Sequence, residues 1–147
     1  MKTIKDAKFI RQAVDMGDIR PVFNKVVWVD KKITKATLCV SALGFYEAYF
    51  NNRRLGKFIF APGWTVYGKR IQYQEYNVTD LIEEFNTIEI ALGNGRRYHG
   101  NPHESYESIT CREEALIAAL MIEYEDGTEE FIPTDASWQC AKSNIIY

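Results

Sequence analysis

The sequence has little cysteine, and its cysteines show no pairing pattern. Among 147 residues there are three, Cys39, Cys111 and Cys140, at long and irregular spacings. A small secreted scaffold held by disulfides carries an even number of cysteines, so this set favours free thiols in a reducing compartment. The N-terminal residues also lack the uninterrupted apolar core of a signal peptide. We therefore expect a cytoplasmic protein.

Surplus charge and long apolar runs are missing as well. The formal net charge is -2, and lysine and arginine are interspersed among aspartate and glutamate. Such a chain offers no basic surface to a nucleic-acid backbone or to an anionic membrane, and no apolar run approaches the roughly 18 residues of a membrane span. We expect neither nucleic acid nor membrane as a partner. The length suits one domain, residues 1–147, with one sizeable core.

The sequence instead contains short segments in which apolar and polar residues alternate. Residues 46–60 begin with strict alternation, and their aromatic content favours a strand over a helix. Asparagine tolerates the left-handed conformation of a two-residue turn, so the segment is expected to double back as a hairpin at Asn51-Asn52. The sets predicted to share a face are Leu38 and Val40; Tyr46, Ala48 and Phe50; and Ile88, Ile90 and Leu92.

Residues 112–125 allow two interpretations. Their strong helix formers suit a helix of about three turns. Against this, the residues from Leu116 to Tyr124 keep an apolar period of two up to an Asp126-Gly127 turn, as in a strand buried on both faces. We favour the strand. Many short strands with helix nearly absent predict an all-β fold, an antiparallel β-sandwich of the jelly-roll type.

Local details follow from the same patterns. Residues 79–85 predict a single capped turn, in which Thr79 or Asp80 caps and Glu83 or Glu84 completes a capping box.

Four aromatic residues can be placed from the strand pattern. Trp28 and Trp138 fall in strand-like segments and are assigned to packing. Tyr73 and Tyr76 project to opposite faces, so only one of them is expected inside.

Three stretches carry a resemblance to a known family. They are ALGFYEAYFNNRRLGKFIFAPGWTVYGKRIQYQEYNVTDLI (residues 42–82), IALGNG (90–95) and ALIAALMIEYEDGTEEFIPTDASWQ (115–139). In order over residues 34–139, they resemble the N-terminal accessory domain of bacterial α-L-rhamnosidases. The resemblance implies a jelly-roll, galactose-binding-like β-sandwich that helps to recognise rhamnose-containing substrates.

The resemblance also implies a missing catalytic part. The family's enzymes continue into a large helical (α/α) barrel that carries the acidic catalytic residues, and that barrel would be this domain's partner. The chain would then be excised from, or truncated relative to, a larger glycoside hydrolase. Asn51-Asn52 departs from the usual Asn-Gly, and Arg96 and Arg97 stand where many relatives have an aromatic residue or a shorter turn. The second departure weakens the transfer of ligand contacts to that loop.

The acidic residues give no catalytic pair. Glycoside hydrolysis needs two carboxylates roughly 5 to 9.5 Å apart, one of them with a raised pKa. The acids here lie mostly in runs typical of solvated surface, so no catalytic residue is expected and a complete small enzyme is disfavoured. These runs are Glu83-Glu84, Glu113-Glu114, Glu123–Asp126 and Glu129-Glu130.

A metal site receives little support. His99 and His103 stand four residues apart, with Cys111 available as a third zinc ligand. Gly100 and Pro102 prevent a helix from holding that spacing, so a solvated loop is the better interpretation and no metal ligand is assigned. No cofactor is expected. A calcium ion held by loop oxygens stays open, although no dense Asp/Asn motif marks one.

Two loops between residues 61 and 106 have the composition of a sugar site. A pyranose has an apolar C–H face and an equator of hydroxyls, so it is recognised by an aromatic ring beside amide, carboxylate or guanidinium groups. The loops of a sandwich cluster at its two ends. The candidate sugar-binding residues are Trp64, Tyr67, Asn94, Arg96, Arg97, Tyr98, His99 and Tyr106.

Structural alternatives stay open for the same residues. Trp64 and Tyr67 can close over a core edge, Asn94 between two glycines can serve a left-handed turn, and the arginines can pair with nearby acids. The domain as a whole can bind rhamnosides, or it can be a purely structural unit that docks onto the barrel. Docking predicts a flat apolar patch on the surface.

Overall fold

Nine strands account for most of the residues that the computed structural model describes, which are 2–14, 19–63, 69–93 and 114–146. The strands are β1 (Ile19–Trp28), β2 (Ile33–Leu43), β3 (Phe45–Phe50), β4 (Arg53–Arg54), β5 (Gln74–Asn77), β6 (Phe85–Gly93), β7 (Ala115–Tyr124), β8 (Glu129–Pro133) and β9 (Gln139–Ile146). Helix in these ranges is limited to two 3-10 turns of three residues, too short to cross a membrane.

The strands form two antiparallel sheets, which confirms the predicted β-sandwich. One sheet has five strands in the order β4-β3-β6-β1-β9, and the other has four in the order β5-β2-β7-β8. The core lies between them because each sheet turns one row of apolar side chains inward. The three sets predicted to share a face all line this core, and none of their members is more than 3% exposed.

The disputed segment forms strand β7, which confirms the strand interpretation over the helix. β7 has a neighbour on each side, β2 and β8. Its inner face carries buried Leu120, and the outer-face residues Ile117 and Ala119 are buried as well. A strand covered on both faces is apolar throughout, so helix-forming residues are tolerated there.

The N-terminal segment covers part of the outer face of the four-stranded sheet. Its 3-10 turn (Ile4–Asp6) is closed by a capping box, and Ile4 packs against Cys39 on β2. Further along, the backbone groups of Ile10 and Leu116 exchange two hydrogen bonds of 2.8 Å. These contacts fasten the segment to the outer face of the four-stranded sheet.

Both predicted hairpin turns are confirmed. Asn51 and Asn52 adopt positive φ angles of 48° and 64° between β3 and β4. Asp126-Gly127 lies in the turn between β7 and β8, where Gly127 has a φ of 81°. Both turns therefore use residues that tolerate the left-handed region.

The returning strand of the first hairpin is much shorter than predicted. Strand β4 comprises only Arg53–Arg54, whereas the sequence pattern carried it to residue 60. The chain leaves the sheet at Gly56, whose φ is +70° and where an added Cβ would lie 2.8 Å from the Tyr76 ring. Any side chain at this turn would meet the Tyr76 ring, so the position requires glycine.

The predicted capping box near residue 79 is wrong. The turn is a 3-10 turn (Thr79–Leu81) whose N-cap is Val78, and no side chain caps it. The Thr79 hydroxyl instead accepts a hydrogen bond of 3.0 Å from the Ala36 backbone N–H, which joins the turn to β2. None of the four predicted residues, Thr79, Asp80, Glu83 and Glu84, caps this turn.

The two strand tryptophans differ. Trp138 is buried and its indole N–H donates to the Pro133 carbonyl at 2.9 Å, so its assignment to packing is confirmed. For Trp28 that assignment is wrong: the side chain is 59% exposed and meets the edge of Phe85 with ring centroids 6.0 Å apart. Val27 takes the inward position on β1, so the alternation turns Trp28 outward.

Candidate functional site

The candidate sugar-binding residues lie outside the described residues, as do His103 and Cys111. They are Trp64, Tyr67, Asn94, Arg96, Arg97, Tyr98, His99 and Tyr106. The residues that precede and follow the two loops are described, and they fix where the loops are attached.

The attachment points lie at one end of the sandwich, which we call the loop end (residues 43–46, 61–63, 93 and 114–115). Phe45 on β3 pairs with Gly93, the last residue before one loop. Tyr46 forms a bridge with Ala61, just before the other. Leu43 pairs with Ala115, just after the first loop returns. The strand register therefore brings the described residues that flank the two predicted loops to the same end of the sandwich.

A tyrosine network supports this end from below. The buried Tyr46 hydroxyl lies 2.9 Å from the Tyr76 hydroxyl and 2.9 Å from Oε1 of Gln74. Nε2 of Gln74 donates to the Pro62 carbonyl at 3.1 Å. Burial, followed by the hydrogen bond to Tyr76, raises the pKa of Tyr46 far above its usual range, so it stays protonated. Tyr73 is 48% exposed while Tyr76 is half-buried, which confirms that only one of the pair is inside.

Glu114 differs from the solvated acid predicted for the run Glu113-Glu114. Its carboxylate forms a 3.1 Å ion pair with the Arg20 guanidinium, and both side chains are largely shielded from solvent. Burial raises the pKa of Glu114, and the Arg20 charge opposes that shift. The pair ties the start of β7 to β1 beside the loop end.

An exposed apolar segment, Phe58–Phe60, was missed by the sequence interpretation because it was assigned to the returning hairpin strand. Its three side chains are 64%, 66% and 64% exposed. The Phe60 ring contacts the Phe45 ring with centroids 5.1 Å apart, so the segment adjoins the loop end. Three consecutive apolar residues before Ala-Pro-Gly were the available signal.

The described thiols are free, as predicted for Cys39 and Cys140. Burial, with a smaller contribution from Glu75, raises the pKa of Cys39 to about 11, so its thiol stays protonated at neutral pH. In the described ranges, no three His, Cys, Asp or Glu side chains converge as a metal ion would need.

Comparisons with known proteins agree on one family. The model of the α-L-rhamnosidase N-terminal domain matches residues 31–147. An α-L-rhamnosidase of Streptomyces avermitilis is 40% identical over 121 residues, covering 79% of this chain and 11% of the relative.

Solved structures give the same result. That of an α-L-rhamnosidase from Aspergillus terreus has a TM-score of 0.83 at 32% identity, covering 97% of this chain and 17% of that one. A lectin from Pleurotus ostreatus shares the fold alone, with a TM-score of 0.64 at 21% identity over 97% of this chain and 36% of the lectin. The chain spans only 11% to 14% of the length of its curated relatives. It belongs to the α-L-rhamnosidase N-terminal domain family.

Proposed function

We propose that this domain is a non-catalytic accessory domain of an α-L-rhamnosidase-like glycoside hydrolase, and that it recognises rhamnose-containing glycosides at its loop end. One observation carries the proposal: both loops that contain the candidate sugar-binding residues are attached at the same end, above the Tyr46–Gln74–Tyr76 network. A binding surface is most selective when rigid elements hold its loops.

The chemistry of rhamnose suits that end. The ring of Trp64 or Tyr67 would pack on the apolar face of the sugar, and the polar side chains of the second loop would bond its hydroxyls. Contact with an apolar surface stabilises the methyl group of rhamnose. The exposed Phe60 ring provides such a surface beside the loop end.

Calorimetric titration of L-rhamnose and aryl rhamnosides into the 147-residue chain tests the proposal. We expect dissociation constants between about 1 mM and 1 μM, equivalent to about 4 to 8 kcal/mol. Trp64→Ala should weaken binding by roughly tenfold, or about 1.4 kcal/mol. Trp28→Ala is the matched control, since Trp28 is an exposed tryptophan on a sheet face. Equal losses from both variants, or no binding by the unmodified chain, would contradict the proposal.

Docking onto a catalytic barrel is the second candidate, and Phe58–Phe60 favours it. Three neighbouring apolar side chains, each about two-thirds exposed, form the kind of patch that an interdomain contact covers. Amide hydrogen exchange at residues 58–60 should then be slower in the full-length gene product than in the 147-residue chain. Equal exchange rates in the two proteins would exclude docking through this segment.

A further inference from the structure

A second concave surface lies on the outer face of the four-stranded sheet, from the N-terminal turn to Tyr73, the residue before Gln74 of the tyrosine network. It is a groove of about 600 Å³. Its lining includes Thr37 and Cys39 on β2, Tyr73 and Glu75 from the β5 side, and Phe131 on β8. We call this surface the sheet groove. Its volume falls within the range of small-ligand sites.

The floor of the groove lies on the two central strands, β2 and β7, where Thr37, Cys39 and Met121 line it. Thr37 and Cys39 lie on the second strand of the order β5-β2-β7-β8. Tyr73 directly precedes β5 and Phe131 lies on β8, so the two residues stand at opposite edges of the sheet, roughly 14 Å apart in the direction across the strands. They are also offset by about four residues along the strands, because Phe131 is level with Thr37 and Tyr73 lies one position past the Val40–Gln74 pair. The capped N-terminal turn forms a further wall through Ile4.

The groove has rings at its two edges and polar side chains on its central strands. Tyr73 is 48% exposed. The Nζ of the exposed Lys2 lies over the Phe131 ring, 5.5 Å from its centre, so a ligand must displace this flexible lysine to pack on that ring. Among the described residues, the side chains of Lys35 and Glu123 make no ion pair, although the two residues face each other across β2 and β7. Their hydrogen-bonding capacity remains for a bound molecule.

Charge and backbone pairing narrow the kind of ligand. Four carboxylates line the groove against two lysines, so an anionic ligand is repelled. The floor is a sheet face whose backbone groups are already paired between strands, so a peptide finds no open edge to extend. The carboxylates are Glu75, Glu123, Glu129 and Glu130, and the lysines are Lys2 and Lys35. The rings and the scattered polar side chains that line the groove suit a ligand with apolar faces and hydroxyl groups.

We infer that the sheet groove binds a neutral oligosaccharide, with Tyr73 and Phe131 as ring platforms and Lys35, Glu75 and Glu123 as hydrogen-bonding partners for hydroxyls. The site lies on a sheet face and not in the two loops, and it does not depend on the rhamnose recognition proposed at the loop end. A sugar chain laid across the strands would contact rings at both edges of the sheet.

Calorimetry on the 147-residue chain tests the inference with four neutral probes, the tetrasaccharides of cellulose, mannan, xylan and galactan, and with tetragalacturonic acid as the charged comparison. At least one neutral probe should bind with a dissociation constant of about 1 mM or tighter. Tetragalacturonic acid should bind at least roughly tenfold more weakly, because of the carboxylates in the groove. A lysine-rich peptide is titrated as well, to test whether the carboxylates of the groove prefer a cationic ligand.

Variants locate the binding. Tyr73→Ala combined with Phe131→Ala should weaken the neutral probe roughly tenfold or more, and Thr37→Trp should block the floor without removing either ring. Trp28→Ala, on the outer face of the other sheet, and Trp64→Ala, in the loop, should leave this binding unchanged. Circular dichroism and thermal unfolding confirm that each variant folds.

Four results would overturn the inference: no neutral probe binding up to about 10 mM, tighter binding of the peptide, unchanged binding in the groove variants, or loss of binding in Trp64→Ala. Loss of rhamnose binding in Trp64→Ala, with tetrasaccharide binding intact, supports two separate sites. Failure at the loop end is thereby distinguished from failure at the groove.

Discussion

At the scale of single residues, the side chain of Asn51 makes three hydrogen bonds from within a tight turn. Its amide donates to the Leu81 carbonyl at 2.8 Å and to Oδ1 of Asn86 at 3.0 Å, and its Oδ1 accepts from the Thr87 N–H at 2.8 Å. The neighbouring Asn52 is exposed and has the same left-handed backbone. The sequence predicts the turn equally from both asparagines. Only the structure shows which of them makes these hydrogen bonds.

Asn51→Gly keeps the backbone conformation and removes the three bonds. We expect the free energy of unfolding to fall by about 2 to 3 kcal/mol, because Asn86 is fully buried and loses a partner. Asn52→Gly is the matched control and should change stability by less than about 0.5 kcal/mol. Urea unfolding measures both. A similar loss of stability in the two variants would show that the turn residues stabilise the fold without a specific contribution from the Asn51 hydrogen bonds.

At the scale of elements, the strands were predictable where one face is buried and the other is wet. Tyr46, Ala48 and Phe50 alternate with more exposed neighbours, and that alternation is written in the sequence. The turn at Gly56 that follows β4 was not predictable, because the Tyr76 ring beside it belongs to a distant part of the chain that a local pattern does not contain. The hydrogen bond between Thr79 and Ala36 was not predictable either, because Ala36 lies on a distant strand, β2.

The inward and outward alternation along strand β7 can be tested by substituting two neighbouring residues. Leu120→Ala should lower the free energy of unfolding by about 2 to 5 kcal/mol, because Leu120 is fully buried between the sheets. Met121→Ala, one position on and partly buried on the outer face, should cost about 1 kcal/mol. Chemical denaturation of both variants measures the difference. Equal costs would contradict the inward and outward alternation.

In the turn between β7 and β8, the Asp126 carboxyl is expected to titrate at an unusually low pH. The Thr128 hydroxyl and backbone N–H donate to Asp126, and with Lys31 they lower the pKa of its carboxyl from 3.8 to about 2. The folded state thus favours the ionised form: the stabilisation is full above pH 3.8 and is lost as the pH falls towards 2. Carboxyl NMR shifts of Asp126 should show a midpoint near 2, and Thr128→Val should raise it. A midpoint of 3.8 in both proteins would show that the hydrogen bonds from Thr128 do not stabilise the ionised carboxylate.

At the scale of the whole molecule, two contacts that shape the loop end join residues far apart in sequence. Arg20 and Glu114 are separated by 94 positions, and Tyr46 and Tyr76 by 30. Composition and resemblance predicted the sandwich and its family, since both depend on repeated local patterns. The tyrosine network and the sheet groove could not be predicted, because they arise only when distant strands are placed in register.

The N-terminal segment packs on the sandwich although the family model begins at residue 31. Removing residues 1–14 should lower the thermal midpoint by several degrees, because Ile4 and the bridge between Ile10 and Leu116 are lost. Alkylation of Cys39 should also become faster, as its outer face is uncovered. Ile4→Ala alone should give a smaller change in the same direction. An unchanged midpoint and alkylation rate would show that the segment contributes nothing.

Strand β1 has consequences for synthesis of the chain. Its partners are β6 and β9, so residues 19–28 can pair only after the chain has been made to residue 93 on one side and to residue 146 on the other. At roughly 5 to 20 residues per second, this leaves an apolar strand unpaired for several seconds on the ribosome. Nascent-chain chaperones therefore have a predictable place to bind, the segment that ends in Val26, Val27 and Trp28.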